Sequence, residues 1–257
     1  MKAFPQGQLF NIDDLIADSI DIIHQFKEHI PLHVAFSGGK DSIVLAELVD
    51  MTGLPYHLTY HDTTIDPPDV RQFIRKNYPD TIFTRPKKTF WQYMVEKFPP
   101  SCLRRWCCDK VKHGTDKSKF VITGVRKEES RKRAKYLPIE KVGSQTICQP
   151  ILEWPEWAIW EFIEGNHLSY PDIYDAGIDR VGCVICPNRP YKIHKIWRER
   201  YPIYYKVFEK HFARWIVEKR GFELNKYDLQ GAITDWYKNK GIVQYDKYSH
   251  DWKETNG

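Results

Sequence analysis

The sequence lacks the features that define membrane, secreted and disordered proteins. No apolar run approaches the roughly 18–20 residues that are needed to span a bilayer. Residues 1–14 contain no long apolar stretch followed by a small-residue cleavage site, so no secretory signal is visible. Hydrophobic residues make up 42% and charged residues 28% of the 257 residues, which excludes a disordered or collagen-like chain. We therefore expect a globular cytoplasmic protein with no membrane partner.

Neither sign of charge dominates the sequence as a whole. It contains 39 Lys and Arg against 34 Asp and Glu, which gives a formal net charge of +5. This mild excess suits an anionic small-molecule ligand, and it permits a nucleic-acid partner without requiring one.

Cysteines are few, and none follows Cys186. Structural disulfides are rare in a reducing cytosol, so clustered cysteines there indicate a metal site or redox chemistry. The six are Cys102, Cys107, Cys108, Cys148, Cys183 and Cys186.

Hydrophobic patterning predicts that helices and strands alternate along the first part of the chain. The predicted strands are 31–36, 54–62, 81–85 and 119–125, and the predicted helices are 12–29, 43–51, 66–78, 89–98 and 153–166. This alternation predicts an α/β fold with a doubly wound, mostly parallel sheet. A long aromatic helical segment follows at about 194–220, interrupted near Pro202.

A glycine turn joins the first predicted strand to a helix. Its glycines let the backbone approach a ligand closely, and the helix that follows offers unpaired N–H groups to an anion. The turn differs from the Walker A pattern because Asp41 follows its lysine. The alternative is a tight connection with a solvated lysine. The turn is Ser37, Gly38, Gly39, Lys40, Asp41 and Ser42.

Two cysteine pairs form a four-thiolate pattern. Cys107 and Cys108 are adjacent, and Cys183 and Cys186 form a CxxC in a turn-rich segment. Four thiolates suit Zn²⁺ or an iron–sulfur cluster. Adjacent side chains diverge in extended chain, so a cluster with separated iron corners fits this pair better than one zinc ion. Buried free cysteines or a metal-free redox CxxC are the alternatives.

Together these motifs resemble the phosphoadenylyl- and adenylylsulfate reductase family of the PP-loop ATP pyrophosphatase superfamily. The glycine turn resembles the PP-loop, and the cysteine pattern is similar to the 4Fe–4S ligands of adenylylsulfate reductases. Three further segments match over the covered range of about 30–190. Gly124 to Arg131 resembles the strand-end GxRxxES motif, Asp62-Thr63 resembles the DT segment, and Tyr174 to Cys183 is similar to the family's approach to its second cysteine pair.

This resemblance implies an adenine nucleotide alpha hydrolase-like fold with ATP, or phosphoadenylyl sulfate, and Mg²⁺ in the site. It implies catalytic roles for Lys40, Asp41 and Arg126, and a 4Fe–4S cluster, with zinc as the alternative. It also implies nucleotide contacts from Ser37, Gly38, Gly39, Lys40, Asp41, Ser42, Asp62, Thr63, Gly124 and Arg126, and cluster ligation by Cys107, Cys108, Cys183 and Cys186. We expect residues 1–190 to form this nucleotide-binding domain with its cysteine site, and residues 191–257 to form a helical C-terminal extension packed on it.

The sequence departs from the reductases in its C-terminal part. The reductases attack the sulfonyl group with a cysteine in the tail, whereas here no cysteine follows Cys186. ATP-dependent adenylylation that feeds sulfur transfer to nucleic acid, as in the Dnd and Ssp DNA-phosphorothioation proteins, is therefore the preferred function. Its partners would be an adenine nucleotide, a sulfur-donor protein such as a cysteine desulfurase, and DNA or RNA. The alternatives are sulfonucleotide reduction with an external thiol, and a non-catalytic nucleotide-binding subunit with a structural cluster.

Two groups of residues keep more than one interpretation. Cys102 and Cys148 are expected in the core, and a persulfide on either is the alternative. The helical stripe is expected to pack as core, whereas stacking on nucleic acid or a homodimer interface would expose it. That stripe is Trp197, Tyr201, Tyr204, Phe208, Phe212 and Trp215.

Overall fold

The computed structural model describes residues 11–112 and 118–250. Its residues cluster into two compact units that interleave along the chain. Among the described residues, the sheet unit comprises 11–60, 68–84 and 118–181, and the cysteine unit comprises 61–67, 85–112 and 182–250. The division at residue 190 that the sequence suggests stays a prediction.

The sheet has six strands in the order β3-β2-β1-β4-β6-β5. The pairs β1–β2, β1–β4 and β4–β6 are parallel, and β5 runs antiparallel to β6. This arrangement confirms the predicted α/β fold with a mostly parallel sheet. The strands are β1 (Leu32–Ala35), β2 (Tyr56–His61), β3 (Ile82–Thr84), β4 (Phe120–Thr123), β5 (Ile139–Val142) and β6 (Gln145–Cys148).

Eight α-helices accompany the sheet in the described residues, and the helical C-terminal part is present. Those in the sheet unit are α1 (Ile12–His24), α2 (Lys40–Met51), α3 (Pro68–Asn77) and α5 (Glu156–Gly165). Those in the cysteine unit are α4 (Phe90–Glu96), α6 (Tyr191–Arg200), α7 (Pro202–Arg220) and α8 (Leu229–Lys238). The predicted interruption near Pro202 is confirmed, because α6 ends at Arg200 and α7 begins at the proline.

The sequence-based elements differ from the structure at several boundaries and in one hairpin, and the first predicted helix, 12–29, ends at His24. Helix α2 begins at Lys40, three residues before the predicted start, so the end of the glycine turn is already helical. The hairpin formed by β5 and β6 was not predicted from the sequence. Its first strand lies at the edge of the sheet and leaves Val142 55% exposed, so its residues lack the apolar pattern of a buried strand.

Helix α2 is the best-buried helix of the sheet unit, and it fixes the position of the glycine turn. Ile43, Val44 and Leu45 are fully buried, as are Leu48 and Val49 one turn later. Burying an aliphatic side chain contributes about 1.5–3 kcal/mol each. The N-terminus of α2 is therefore held rigidly at the carboxyl end of β1.

The core of the cysteine unit is built from aromatic side chains of α6, α7 and α8. Trp236 of α8 lies with its ring centroid 4.6 Å from that of Phe208 on α7. The core interpretation of the helical stripe is confirmed for five of its members, which are at most 6% exposed, while Tyr204 is half-buried. The five are Trp197, Tyr201, Phe208, Phe212 and Trp215.

Within the described residues, every helix is too short or too polar to cross a membrane.

Candidate functional site

The glycine turn is closed by its own serine hydroxyls. Gly38 has φ +69°, and a Cβ there would lie 2.7 Å from Cγ1 of Ile74, so only glycine fits. The Ser37 backbone N–H donates to Ser42 Oγ over 3.2 Å, and Ser42 Oγ donates to the Gly39 carbonyl over 2.8 Å. The turn therefore has one defined shape at the start of α2.

Lys40 is buried at this turn, with 3% of its surface exposed. Its Nζ donates to the carbonyl oxygen of Asp179 over 3.1 Å. Two carboxylates lie at ion-pair distance from Nζ, Asp41 at 3.6 Å and Glu156 at 3.7 Å. A buried ammonium needs such partners, because desolvation without them would cost several kcal/mol.

Asp41 is fixed by Arg126, which follows β4. The Arg126 Nε donates to Asp41 Oδ1 over 2.5 Å, and its Nη1 donates to Glu128 and to the Trp154 carbonyl. Burial opposes the charge on this 3%-exposed guanidinium, but Asp41 and Glu128 raise the pKa of Arg126 above its ordinary value. Because β1 and β4 are neighbouring parallel strands, their carboxyl ends bring these side chains together.

Gly124 lets the segment after β4 approach the start of α2. A Cβ on Gly124 would lie 2.9 Å from the Asp41 carbonyl oxygen and 3.1 Å from its carbon. This contact is with backbone, which cannot swing away as a side-chain end can. The predicted residues of the PP-loop and of the GxRxxES motif therefore form one assembly within the sheet unit.

Three members of this assembly were not predicted from the sequence: Tyr174, Asp179 and Glu156. The Lys40 backbone N–H donates to the Tyr174 hydroxyl over 2.9 Å, and the Lys40 ammonium lies 5.6 Å from the centre of its ring. Burial raises the pKa of the Tyr174 hydroxyl, so it stays protonated. Tyr174 and Asp179 lie in a segment that belongs to the family resemblance, but the sequence does not show that it reaches Lys40, because all three residues lie more than 110 positions after Lys40.

The cysteine unit contains all four predicted cluster ligands. Cys107 and Cys108 lie at the start of a π-helical turn, Cys108–Lys112. A hydrogen bond to Cys108, burial, and the charges of Cys183 and Cys186 raise the pKa of the Cys107 thiol. That bond lowers the pKa of Cys108 to about 6, with Arg105 contributing in the same direction. The two cysteine pairs are thus close enough to act on each other electrostatically.

The Cys183–Cys186 turn is held through its backbone. Arg189 Nη2 donates to the Cys183 carbonyl over 3.2 Å, and His194 Nε2 donates to the Cys186 carbonyl over 3.1 Å. His194 Nδ1 accepts from the Tyr205 hydroxyl, and burial lowers the pKa of His194 to about 4, so the ring is neutral. Burial and the charge of Asp66 raise the pKa of the Cys183 thiol.

The predicted DT segment lies in the cysteine unit. Thr63 Oγ1 is 3.8 Å from Cys183 Sγ, and the Thr63 N–H donates to Asp66 Oδ2 over 3.0 Å. Asp62 Oδ2 pairs with Arg85 Nε at 3.2 Å. The structure therefore places Thr63 beside a predicted cluster ligand, and the nucleotide role of Asp62 and Thr63 stays a prediction.

The two remaining cysteines differ in burial. Cys148 is fully buried, and burial raises its pKa to about 12, which confirms the expected core position. The same expectation is wrong for Cys102, which is only half-buried and donates its backbone N–H to the Lys240 carbonyl. Cys102 lies in an irregular loop, where fewer neighbours cover a side chain.

The described residues contain no group of three or more His, Cys, Asp or Glu placed to hold a metal ion. Whether these residues suit an iron–sulfur cluster is judged from the chemistry of the four cysteine side chains. The main chain at Cys183 and Cys186 is fixed by hydrogen bonds from Arg189 and His194. Four cysteine thiolates are a ligand set that an iron–sulfur cluster takes, and the assignment of these four cysteines as ligands stays a prediction.

One family model matches a continuous range of the chain that includes most of the sheet unit and both cysteine pairs. Residues 31–189 match the phosphoadenosine phosphosulfate reductase domain. The chain belongs to this family. The family resemblance predicted from the sequence is therefore confirmed, and the resemblance to the Dnd and Ssp proteins stays a prediction.

Relatives with known sequences agree with this assignment. An uncharacterized protein of Methanocaldococcus jannaschii is 30% identical over 243 residues, which cover 88% of this chain and 57% of the relative. An adenosine 5'-phosphosulfate reductase of Oceanobacillus iheyensis is 27% identical over 170 residues, which cover 60% of this chain and 70% of the enzyme. The chain spans about half the length of the two M. jannaschii relatives that it matches.

Among solved structures, the phosphoadenylyl-sulfate reductase of Candida auris aligns with a TM-score of 0.49 at 16% identity. The alignment covers 70% of this chain and 98% of that protein.

Proposed function

We propose that this protein is an ATP pyrophosphatase of the PP-loop type that adenylylates an acceptor in a sulfur-transfer reaction. The observation that carries the proposal is the assembly of Lys40, Asp41 and Arg126 around the glycine turn at the N-terminus of α2. An anion at this end of a helix meets a positive dipole and N–H donors. The triphosphate of ATP is an anion of this kind.

Lys40 would act on the leaving group. Transfer of the adenylyl group to an acceptor oxygen forms a bond from that oxygen to the α-phosphorus and breaks the bond between the α- and β-phosphates, and pyrophosphate leaves with additional negative charge. A buried ammonium and preorganised N–H groups stabilise such charge without reorganisation. Lys40 is already desolvated and positioned by Asp179 and Glu156, so it needs no large rearrangement to bind a phosphate oxygen.

Asp41 and Arg126 would orient the site. The ion pair between them holds the first turn of α2 against the segment after β4. A carboxylate at this position is a suitable ligand for Mg²⁺, which neutralises the leaving pyrophosphate. Arg126 would keep Asp41 in one rotamer while the metal binds.

The cysteine unit would supply the sulfur chemistry. Cys107, Cys108, Cys183 and Cys186 would hold a 4Fe–4S cluster, which when bound can pass electrons or bind sulfur. Thr63, 3.8 Å from Cys183 Sγ, would donate a hydrogen bond to that thiolate and stabilise its charge. A sulfur-donor protein such as a cysteine desulfurase is the partner that this chemistry requires.

The family supports a second candidate, reduction of a sulfonucleotide. Several relatives are named adenosine 5'-phosphosulfate reductases, and the same loop would bind the nucleotide phosphates. This candidate needs a nucleophilic thiol, and no residue after Cys186 in this sequence is a cysteine.

Two parallel assays separate the candidates. Protein purified without oxygen is given Mg–ATP and assayed for AMP and pyrophosphate, and a second sample is given phosphoadenylyl sulfate with a dithiol and assayed for sulfite. We expect pyrophosphate and no sulfite. Sulfite without pyrophosphate would establish the reductase instead.

Substitution of Lys40 tests the role of the loop. We expect Lys40→Ala to abolish pyrophosphate release, because the leaving group loses its buried cation, while the far-ultraviolet circular dichroism of the fold is retained. Lys141→Ala, on the exposed edge strand β5, is the matched control and should release pyrophosphate at the original rate. Unchanged turnover in Lys40→Ala would remove the loop from the mechanism.

A further inference from the structure

Charge is distributed very unevenly between the two units. The described residues of the cysteine unit carry 22 Lys and Arg against 11 Asp and Glu, a formal charge of +11. Those of the sheet unit carry 14 Lys and Arg against 20 Asp and Glu, a formal charge of −6. The mild +5 of the whole chain hides this separation, and a strongly basic unit is typical of proteins that bind polyanions.

Many of the basic side chains in the cysteine unit are neutralised locally. Arg198 pairs with Glu209, Arg214 with Glu218, Arg220 with Asp246, and Lys247 with Asp235. Such pairs present little net charge to a ligand. The cations that remain for a polyanion are the exposed basic side chains without a carboxylate partner.

Two exposed lysines lie against one aromatic ring, and a third follows that ring in the sequence. The ammonium of Lys195 lies 5.2 Å from the centre of the Tyr191 ring, and that of Lys238, from α8, lies 5.9 Å from it. Lys192 follows Tyr191 in the first turn of α6, and the three lysines are exposed. Among the described residues, none of the three forms an ion pair. We call Tyr191, Lys192, Lys195 and Lys238 the tyrosine–lysine cluster.

The cluster is joined directly to the Cys183–Cys186 turn. Helix α6 begins five residues after Cys186, and His194 of the same helix donates to the Cys186 carbonyl. Arg189, one residue before the Pro190 cap of α6, donates to the Cys183 carbonyl and stacks 3.7 Å from the Trp197 ring centre. The first two turns of α6 are thus fixed relative to the two cysteines, and so is the cluster.

We infer that the tyrosine–lysine cluster binds single-stranded nucleic acid, and that this nucleic acid is the sulfur acceptor. The second part of the inference rests on the proposed function, whereas the first stands on the cluster itself. Exposed ammonium groups bind backbone phosphates, and a half-exposed tyrosine ring offers a face on which an unpaired base stacks. A duplex buries its base faces, so the ring favours a single strand or a loop.

Binding is measured by fluorescence anisotropy with the full protein and no ATP. The probes are labelled 20-nucleotide RNA and DNA of one mixed sequence, the corresponding duplexes, and poly-L-glutamate. We expect a single strand to bind more tightly than its duplex and than poly-L-glutamate. A preference between RNA and DNA identifies the kind of acceptor.

Two triple variants separate the cluster from general charge. Lys192→Gln/Lys195→Gln/Lys238→Gln should lower the affinity at least tenfold and reduce the slope of log K against log salt by about 2, since each single-strand phosphate contributes about 0.7. The control removes three exposed lysines of α7 and should change the affinity less than twofold. It is Lys206→Gln/Lys210→Gln/Lys219→Gln.

Tyr191→Leu tests the ring. We expect it to reduce the preference for single strand over duplex about five- to tenfold, because the stacking surface is lost while the lysines remain. Three results would overturn the inference: equal losses in both triple variants, no binding of any nucleic acid at 50 mM salt, or equal binding of poly-L-glutamate. If the protein binds nucleic acid but releases no pyrophosphate from ATP, the role of the tyrosine–lysine cluster stands and the proposed function is rejected. If it releases pyrophosphate but binds no nucleic acid, the proposed function stands and the role of the cluster is rejected.

Discussion

At the residue scale, Lys40 shows how a short motif depends on distant partners. Its backbone N–H and its ammonium both contact the segment from Tyr174 to Asp179, which follows α5. The motif supplies the lysine and the helix N-terminus, but this segment sets where the charge lies. A tyrosine hydroxyl at the first N–H of α2 is therefore part of the site.

Removing that hydroxyl should weaken both the fold and the site. Tyr174→Phe leaves the Lys40 N–H without its acceptor, and an unsatisfied backbone donor costs about 1–3 kcal/mol. We expect a matching fall in unfolding free energy in urea and a change in ATP affinity. The direction of that change is informative: weaker binding means that the hydroxyl contacts the nucleotide, and tighter binding means that it competes with it.

Tyr170→Phe is the matched control for this substitution. Its hydroxyl donates to the exposed Asp175 carboxylate over 3.2 Å, so its loss should alter stability by less than about 0.5 kcal/mol. Equal effects of the two substitutions would show that the Lys40 contact has no special role.

At the element scale, the approach of β4 to α2 decides whether the site forms. Gly124 permits that approach, and Arg126 fixes it through Asp41. The cysteine segments show the same principle, because the π-helical turn at Cys108 and the turn at Cys183 are short irregular pieces. Each is positioned by hydrogen bonds from regular elements around it.

Gly124→Ala should separate the segment after β4 from α2. Its Cβ would lie 2.9 Å from the Asp41 carbonyl oxygen, and overpacking of this kind costs about 1–3 kcal/mol. We expect lower thermal stability and a weaker affinity for ATP in calorimetry. Gly165→Ala is the control, since a Cβ there meets nothing within 4 Å and should leave both quantities nearly unchanged.

Cys183→Ser should remove the cluster ligand that Thr63 contacts. We expect iron per chain to fall strongly in protein prepared without oxygen, because a serine hydroxyl is a poor substitute for a thiolate. Cys102→Ser, outside the four-cysteine pattern, should keep the iron content of the unchanged protein. Full iron content in Cys183→Ser would reject the ligand assignment.

At the scale of the whole molecule, the chain passes between its two units several times. Residues 61–67 and 85–112 belong with the C-terminal part and not with the sheet that surrounds them in sequence. The cysteine unit therefore collects the DT segment, both cysteine pairs and the basic helices. The predicted nucleotide loop and the predicted cluster ligands fall in different units.

Alkaline pH should destabilise the sheet unit through Tyr78. Burial, together with the charge of Glu47, raises its pKa to about 12, whereas the unfolded value is about 10. The unfolded state then binds fewer protons between pH 10 and 12, so stability is complete below pH 10 and declines above it. Between pH 10 and 12, we expect the free energy of unfolding of Tyr78→Phe to fall by about 2 kcal/mol less than that of the unchanged protein. Urea unfolding at several pH values measures this difference. Identical pH profiles for both proteins would contradict this assignment.

The sequence by itself determined the sheet, the loop and the ligand candidates. Buried strands, a glycine turn before a helix and paired cysteines are local patterns, and each reflects a backbone or bonding requirement that neighbouring residues satisfy. The β5–β6 hairpin escaped prediction because an exposed edge strand needs no apolar alternation. The predicted core position of Cys102 was wrong for a related reason, because the packing around an irregular loop is not encoded in the neighbouring sequence.

Only the tertiary structure decided which residues meet. Tyr174, Asp179 and Glu156 reach Lys40 from more than 110 positions away, and no sequence pattern records that contact. The separation of charge into units of +11 and −6 was equally hidden, because the units interleave along the chain. Local patterns set the chemistry of each segment, whereas long-range packing sets the neighbours against which that chemistry acts.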